Sequence, residues 1–123
     1  MLELGLSVED KNLAKKVQEE FKALGVTIIE PGPVIHINGQ YNNIELMHWF
    51  YRNSSTLFTG PILVRPSDDK IFNKVLEIDS SIAKYLGCKR ISTQAKYMSS
   101  IENKMLENAG YKLIKGNYKR KVE

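Results

Sequence analysis

The sequence predicts an α/β domain in which a mixed, mostly antiparallel twisted sheet is flanked by helices. Three observations predict it. Three stretches carry apolar residues at helical spacing, and the middle third alternates like an antiparallel meander. A short β-rich run also lies between the last two helices, which makes a strand–helix–strand unit. With 123 residues, positions 1–123 are expected to form a single domain, since compact domains usually run about 100–150 residues.

Residues 1–6 (MLELGL) read as a short strand. Ser7 opens an S-x-x-D pattern with Asp10, a helix start signal. Leu13, Val17, Phe21 and Leu24 follow at helical spacing and Gly25 supplies a left-handed stop, so the spacing predicts a helix over 8–24. Val26–Glu30 is a β-rich run halted by Pro31-Gly32-Pro33, which no helix can cross. Val34–Ile37 (read with Pro33 before it) comes next, and Asn38-Gly39 is the strongest short hairpin signal in the chain. The return strand is expected within Gln40–Phe50. Ile44, Leu46, His48 and Phe50 would share one face, and Glu45, Met47, Trp49 and Tyr51 the other.

Asn53-Ser54-Ser55-Thr56 reads as a turn and Leu57–Val64 as one further strand. Asp68 or Asp69 can cap a helix whose inner face is Ile71, Val75, Ile78, Ile82 and Tyr85–Leu86, closed by Gly87. Lys89–Ala95 reads as a strand. Ser99-x-x-Glu102 is a capping box for a helix with Ile101, Met105, Leu106 and Ala109 as its apolar stripe, ending at Gly110. Tyr111–Ile114 and Tyr118–Val122 flank Gly116-Asn117, an expected tight turn.

Composition narrows the function classes. No window reaches the roughly 18 apolar residues of a membrane span, and the first residues lack the pattern of a secretory signal. The single cysteine, Cys88, is expected to be a buried, inert thiol in a reducing, cytoplasmic setting. From Lys112 onward five cations (Lys112, Lys115, Lys119, Arg120, Lys121) face one acid, Glu123, which places the net charge of +4 in that segment. The expected structural role of those lysines is to keep an edge strand from pairing. The competing role is contact with an acidic protein or with nucleic acid.

Val64-Arg65-Pro66, Leu86-Gly87-Cys88-Lys89-Arg90-Ile91 and Ala109-Gly110-Tyr111, at their spacing over about residues 57–115, resemble the core of the GNAT acetyltransferase family. The resemblance implies acetyl-coenzyme A as cofactor, with its pyrophosphate held at a Gly-rich helix N-terminus. Aligned without gaps, that turn is Ser67-Asp68-Asp69-Lys70-Ile71-Phe72. Lys70 and Phe72 stand where glycines are expected, and two carboxylates would meet an anionic ligand. Two like charges about 4–6 Å apart at an effective dielectric near 20 repel by roughly 3–4 kcal/mol. The tyrosine that many members place four residues before the helix-ending glycine is Leu106, which has no proton to give.

The first expectation is therefore a domain that has lost acetyl transfer, needs no cofactor, and serves as a structural or protein-interaction module. Such degenerate domains occur among tailed-phage proteins, so a virion component is included in that expectation. Trp49, Tyr51, Lys119, Arg120 and Lys121 are its candidate contact residues, with a protein partner or a second copy as the occupant. The second is an N-acetyltransferase that holds acetyl-coenzyme A atypically through Leu63, Val64, Ser67, Lys70 and Phe72, with Glu45 or His48 as candidate base. The third is a basic nucleic-acid-binding module, for which Tyr41, Trp49, Phe50 and Tyr51 offer aromatic rings. His36 and His48, with only Glu30 and Glu45 near in sequence, are expected to be sheet histidines and not metal ligands.

Overall fold

The computed structural model describes residues 10–25, 29–30, 34–41, 43–96 and 98–122. The expected strand over 1–6, the Ser7 signal, the segments 26–28 and 31–33, and Tyr97 lie outside the described residues. Helix α1 spans Lys11–Ala23, and its N-cap is Asp10. One carboxylate oxygen of Asp10 accepts the Leu13 amide at 3.0 Å, and the other accepts Arg52 Nε at 2.8 Å. The cap thereby also ties the helix to the sheet. Leu13, Val17 and Phe21, at helical spacing, are fully buried.

Among the described residues eight strands form one sheet: β1 (Ile29–Glu30), β2 (Ile35–Tyr41), β3 (Ile44–Asn53), β4 (Thr56–Thr59), β5 (Leu63–Arg65), β6 (Arg90–Gln94), β7 (Lys112–Ile114) and β8 (Asn117–Lys121). The order is β1-β2-β3-β4-β6-β8-β7, with β5 pairing β3 beyond β4. Among the described strands β4–β6 is the one parallel pair.

Four expectations about the strands and their turns are corrected. Asn38-Gly39 is not the hairpin turn: both residues lie inside β2, opposite Met47 and Leu46. A turn there would set Ile35 opposite Asn42, whereas the actual register sets Ile35 and Ile37 opposite Phe50 and His48 on the buried face. The turn falls next to Asn43, which takes the left-handed conformation at φ 65°. The strand expected over 57–64 is broken at Gly60-Pro61-Ile62, because Pro61 has no amide to donate. Nor is the last strand an edge. β8 lies between β6 and β7, and among the described strands the short β7 is the edge. The β7–β8 turn is Lys115-Gly116, one residue earlier than expected, with φ of 51° and 85°. Those angles match the two left-handed central residues of a tight hairpin.

Helix α2 (Asp69–Tyr85) connects the parallel strands, and α3 (Ser100–Asn108) connects β6 to β7. Both crossovers step in the same direction along the sheet, so right-handed connections put both helices on one face. α1 shares that face, as the Phe21 ring lies 5.8 Å from that of Phe50. The core forms between them, with Leu46, Leu57, Val64 and Ile91 from the sheet and Val75, Ile82 and Leu106 from the helices. The capping box at Ser99 and Glu102 is complete. Two positions expected on inner faces are turned to solvent: Tyr85 and Ile101 are 67% and 66% exposed.

Candidate functional site

The break in β4–β5 makes the sheet fork. Thr56–Thr59 pair with Arg90–Thr93, and Thr59 Oγ1 donates to Thr93 Oγ1 at 2.9 Å at the last rung. The chain then departs through Gly60-Pro61-Ile62, and β5 pairs only with β3. The other backbone edge of Leu63–Arg65 faces the gap beside β6. Gly60 is required at the bend because the indole of Trp49 lies flat against it; a Cβ there would overlap the ring.

The mouth of the fork is bordered by the start of α2 and by α3. Asp68 is the N-cap of α2, and its Oδ1 accepts the Ile71 amide at 3.0 Å. A helix N-terminus attracts anions through such unpaired amides, and here the protein's own carboxylate takes one of them. Asp69 adds a second negative charge in the first turn. Ser67 and Lys70 are exposed, whereas Phe72 is only 1% exposed. Phe72 was expected to crowd the turn; it points into the core instead, one of the inward positions of α2. Across the fork, Arg65 Nη1 donates to Glu102 Oε2 at 3.1 Å and to the Val64 carbonyl at 2.8 Å. This ion pair links β5 to α3. Leu106, where the sequence resemblance implies a tyrosine, is fully buried.

Behind the fork sits a buried pair that sequence reasoning missed. His48 Nε2 lies 2.9 and 3.2 Å from the two oxygens of Asp79, and its Nδ1 lies 3.2 Å from the Pro61 carbonyl. Both side chains are 0% exposed. Burial pushes the Asp79 carboxyl up, against the opposing pull of His48 and of Arg120. A carbonyl only accepts, so Nδ1 carries a hydrogen, and one further proton is shared between Nε2 and the carboxyl. The signal available in sequence was Asp79 itself, an acid at an inward helical position beside Ile78 and Ile82. The pair is enclosed, so His48 has no open path to a substrate. Glu45 is exposed on the opposite face, and His36 is exposed as well. Among the described residues no group of three or more histidine, cysteine or acidic side chains could hold a metal. Cys88 is buried, and burial pushes its thiol up.

The candidate contact residues divide between the faces. Trp49 and Tyr51 are half-buried on the face away from the helices, where their rings stack at 5.9 Å, and Tyr51 stacks on Phe58 at 4.8 Å. Phe50, on the other face, belongs to the core. Lys121 is exposed and Lys119 half-buried, both on the open face. Arg120 is no free contact residue: it alternates to the helix face, donating to Ser80 Oγ at 2.7 Å and to the Ala109 carbonyl at 3.2 Å. Its guanidinium also lies over Tyr111, so it fastens α2 and α3 to β8.

A mixed sheet forked after its central strand, with two crossover helices on one face, is the fold of the GNAT N-acetyltransferases. The structure is similar to the crystal structure of the PaiA N-acetyltransferase from Thermoplasma acidophilum in complex with coenzyme A, with a TM-score of 0.58 over 90% of this chain and 70% of that one. Identity is 10%, so the likeness is one of fold. No family model matches the sequence, and no curated protein matches it. Among the described residues no helix is long and apolar enough to cross a membrane.

Proposed function

We propose that this chain is a GNAT-fold domain that does not transfer acetyl groups and works by association, as a structural or protein-interaction module. The observation that carries the reading is the Asp68 carboxylate on the Ile71 amide. The residues at this helix start do not fit a pyrophosphate. One amide is already bonded to an anion, and Asp69 adds repulsion. The Arg65–Glu102 pair across the fork and the apolar Leu106 at the acid position support the same reading. The partner is a protein or a second copy, as in a larger assembly such as a virion. β7 is the surface for it: Leu113 and Ile114 are 56% and 45% exposed on an edge strand, which can add to another sheet.

A second reading, an atypical N-acetyltransferase, is favoured by one observation. The backbone edge of Leu63–Arg65 turned away from β3 borders the fork, where an extended ligand can lie beside it. Calorimetric titration with coenzyme A separates the two. No binding heat in the natural chain, and none in Arg65→Ala where the fork is untied, supports the module. Micromolar binding by either chain supports the enzyme.

A further inference from the structure

The open face of the sheet carries a row of directly paired residues: Tyr51 on β3, Phe58 on β4, Ser92 on β6, Lys119 on β8 and Lys112 on β7. The Tyr51 and Phe58 rings are parallel within 8° at 4.8 Å, which is the spacing of adjacent strands. Trp49, two residues along β3, stacks on Tyr51 at 5.9 Å. The next register position beyond Phe58 is Ser92, whose side chain is too short to continue the stack. Lys119 follows two strands from Phe58, about 9–10 Å away. Between the Phe58 ring and Lys119 the row therefore holds only the short side chain of Ser92, itself 5% exposed. Phe58, Ser92 and Lys119 all line a concavity of about 1090 Å³, which includes residues of both faces and so wraps round the Lys121–Val122 end of β8.

Charge beside this row is arranged unfavourably for the free protein. Arg90 stands directly opposite Lys121, and Lys112 directly opposite Lys119. Like charges in direct cross-strand pairs destabilise a sheet. All four line the concavity, and among the described residues no carboxylate lines it. The two pairs sit two residues apart along the strands, about 7 Å, a separation that successive phosphates of an unstacked strand span. An acidic peptide would answer the cations but leave the end of the aromatic stack unused. A nucleotide chain answers both, since any base has a face to stack and each residue brings a phosphate.

We propose that this face binds single-stranded nucleic acid, with one base stacked on Phe58 above Ser92 and the flanking phosphates on the Arg90–Lys121 and Lys112–Lys119 pairs. The inference goes beyond the association module and is independent of whether the fork binds coenzyme A.

The test is fluorescence anisotropy with a labelled 12-nucleotide oligothymidylate at several salt concentrations. Binding is expected to weaken with salt with a log–log slope near −3, as for about four phosphate contacts. Phe58→Ala should lower affinity about 5- to 100-fold with little change in slope. Lys112→Gln with Lys119→Gln should reduce the slope by about 1.4 and raise the melting temperature of the free protein. Circular dichroism establishes that each variant is folded, and the lysine pair keeps the test open if Phe58→Ala is not. Absence of binding at 50 mM salt overturns the proposal. So does competition by polyglutamate as effective as by oligothymidylate, which would mark an acidic-protein surface. Thymidine monophosphate binding as tightly as the 12-mer would reassign the concavity to a free nucleotide and overturn the strand.

Discussion

His48 on β3 and Asp79 on α2 form a fully buried pair at 2.9 Å, and the same imidazole holds the Pro61 carbonyl at the break in the sheet. One side chain thus couples the crossover helix to the bend that opens the fork. Two groups depend on it: the Asp79 carboxyl and a carbonyl that no strand satisfies.

Removing either partner should leave the other buried without its match. His48→Leu and Asp79→Leu are each expected to cost about 3–5 kcal/mol, while the double variant costs less than their sum. Urea denaturation of the three variants measures this. Additive losses would contradict the pairing.

Gly60 and Trp49 should be coupled in the same manner, because any Cβ at Gly60 overlaps the indole. Gly60→Ala is expected to destabilise by about 1–3 kcal/mol, the usual range for overpacking. It should also shift the emission of the single tryptophan as the ring is displaced. In a Trp49→Leu background the same change should be nearly neutral. Equal cost in both backgrounds would separate the two residues.

Tyr111 governs the alkaline limit. Its hydroxyl is buried, and burial, helped by the nearby Asp79 charge, holds the phenol well above the ordinary value of 10.0 against the opposing pull of Arg120 and Thr93. The folded chain therefore keeps this proton more tightly than the unfolded chain. The stability this gives is full below pH 10 and is lost as pH rises through the folded value. Absorbance titration at alkaline pH should show one tyrosine ionising only with unfolding. Tyr111→Phe should remove that step; a normal, reversible titration of all six tyrosines would contradict the burial.

Edge association should reside in β7. Leu113→Lys, on an exposed strand position, is expected to leave melting unchanged and to reduce self-association or co-purification of a partner in sedimentation of the native extract. A chain that is monomeric and partner-free before the change would contradict it.

Local patterns made most of the architecture legible. The cap at Asp68, the capping box at Ser99 and the apolar spacing of Leu13, Val17 and Phe21 act within one helix, so their residues lie close in sequence. The alternation of β3 likewise predicted which side chains turn inward. What sequence reading missed depends on partners far apart in the chain. Asn38-Gly39 is a hairpin signal that lost to the burial of Ile35 and Ile37. The place of β8 inside the sheet is fixed by pairing with β6, more than twenty residues away, and this turned a presumed edge into an interior strand. His48 finds Asp79 across 31 positions, and nothing local to either announces the other. Around the fork, the capping role of Asp68 was legible in the sequence, but the inward turn of Phe72 and the Arg65–Glu102 link needed the packed structure.

The central claim, that the fork and its helix start do not serve acetyl-coenzyme A, meets its most direct test in thermal melting with the coenzyme at millimolar concentration. A ligand at 100 times its dissociation constant stabilises a fold by about 2.7 kcal/mol, several degrees for a domain of this size. The account predicts no shift beyond that given by an equal concentration of inorganic pyrophosphate. A saturable rise of several degrees, specific to acetyl-coenzyme A and abolished by closing the fork edge with Leu63→Pro in a chain that still folds, would contradict it.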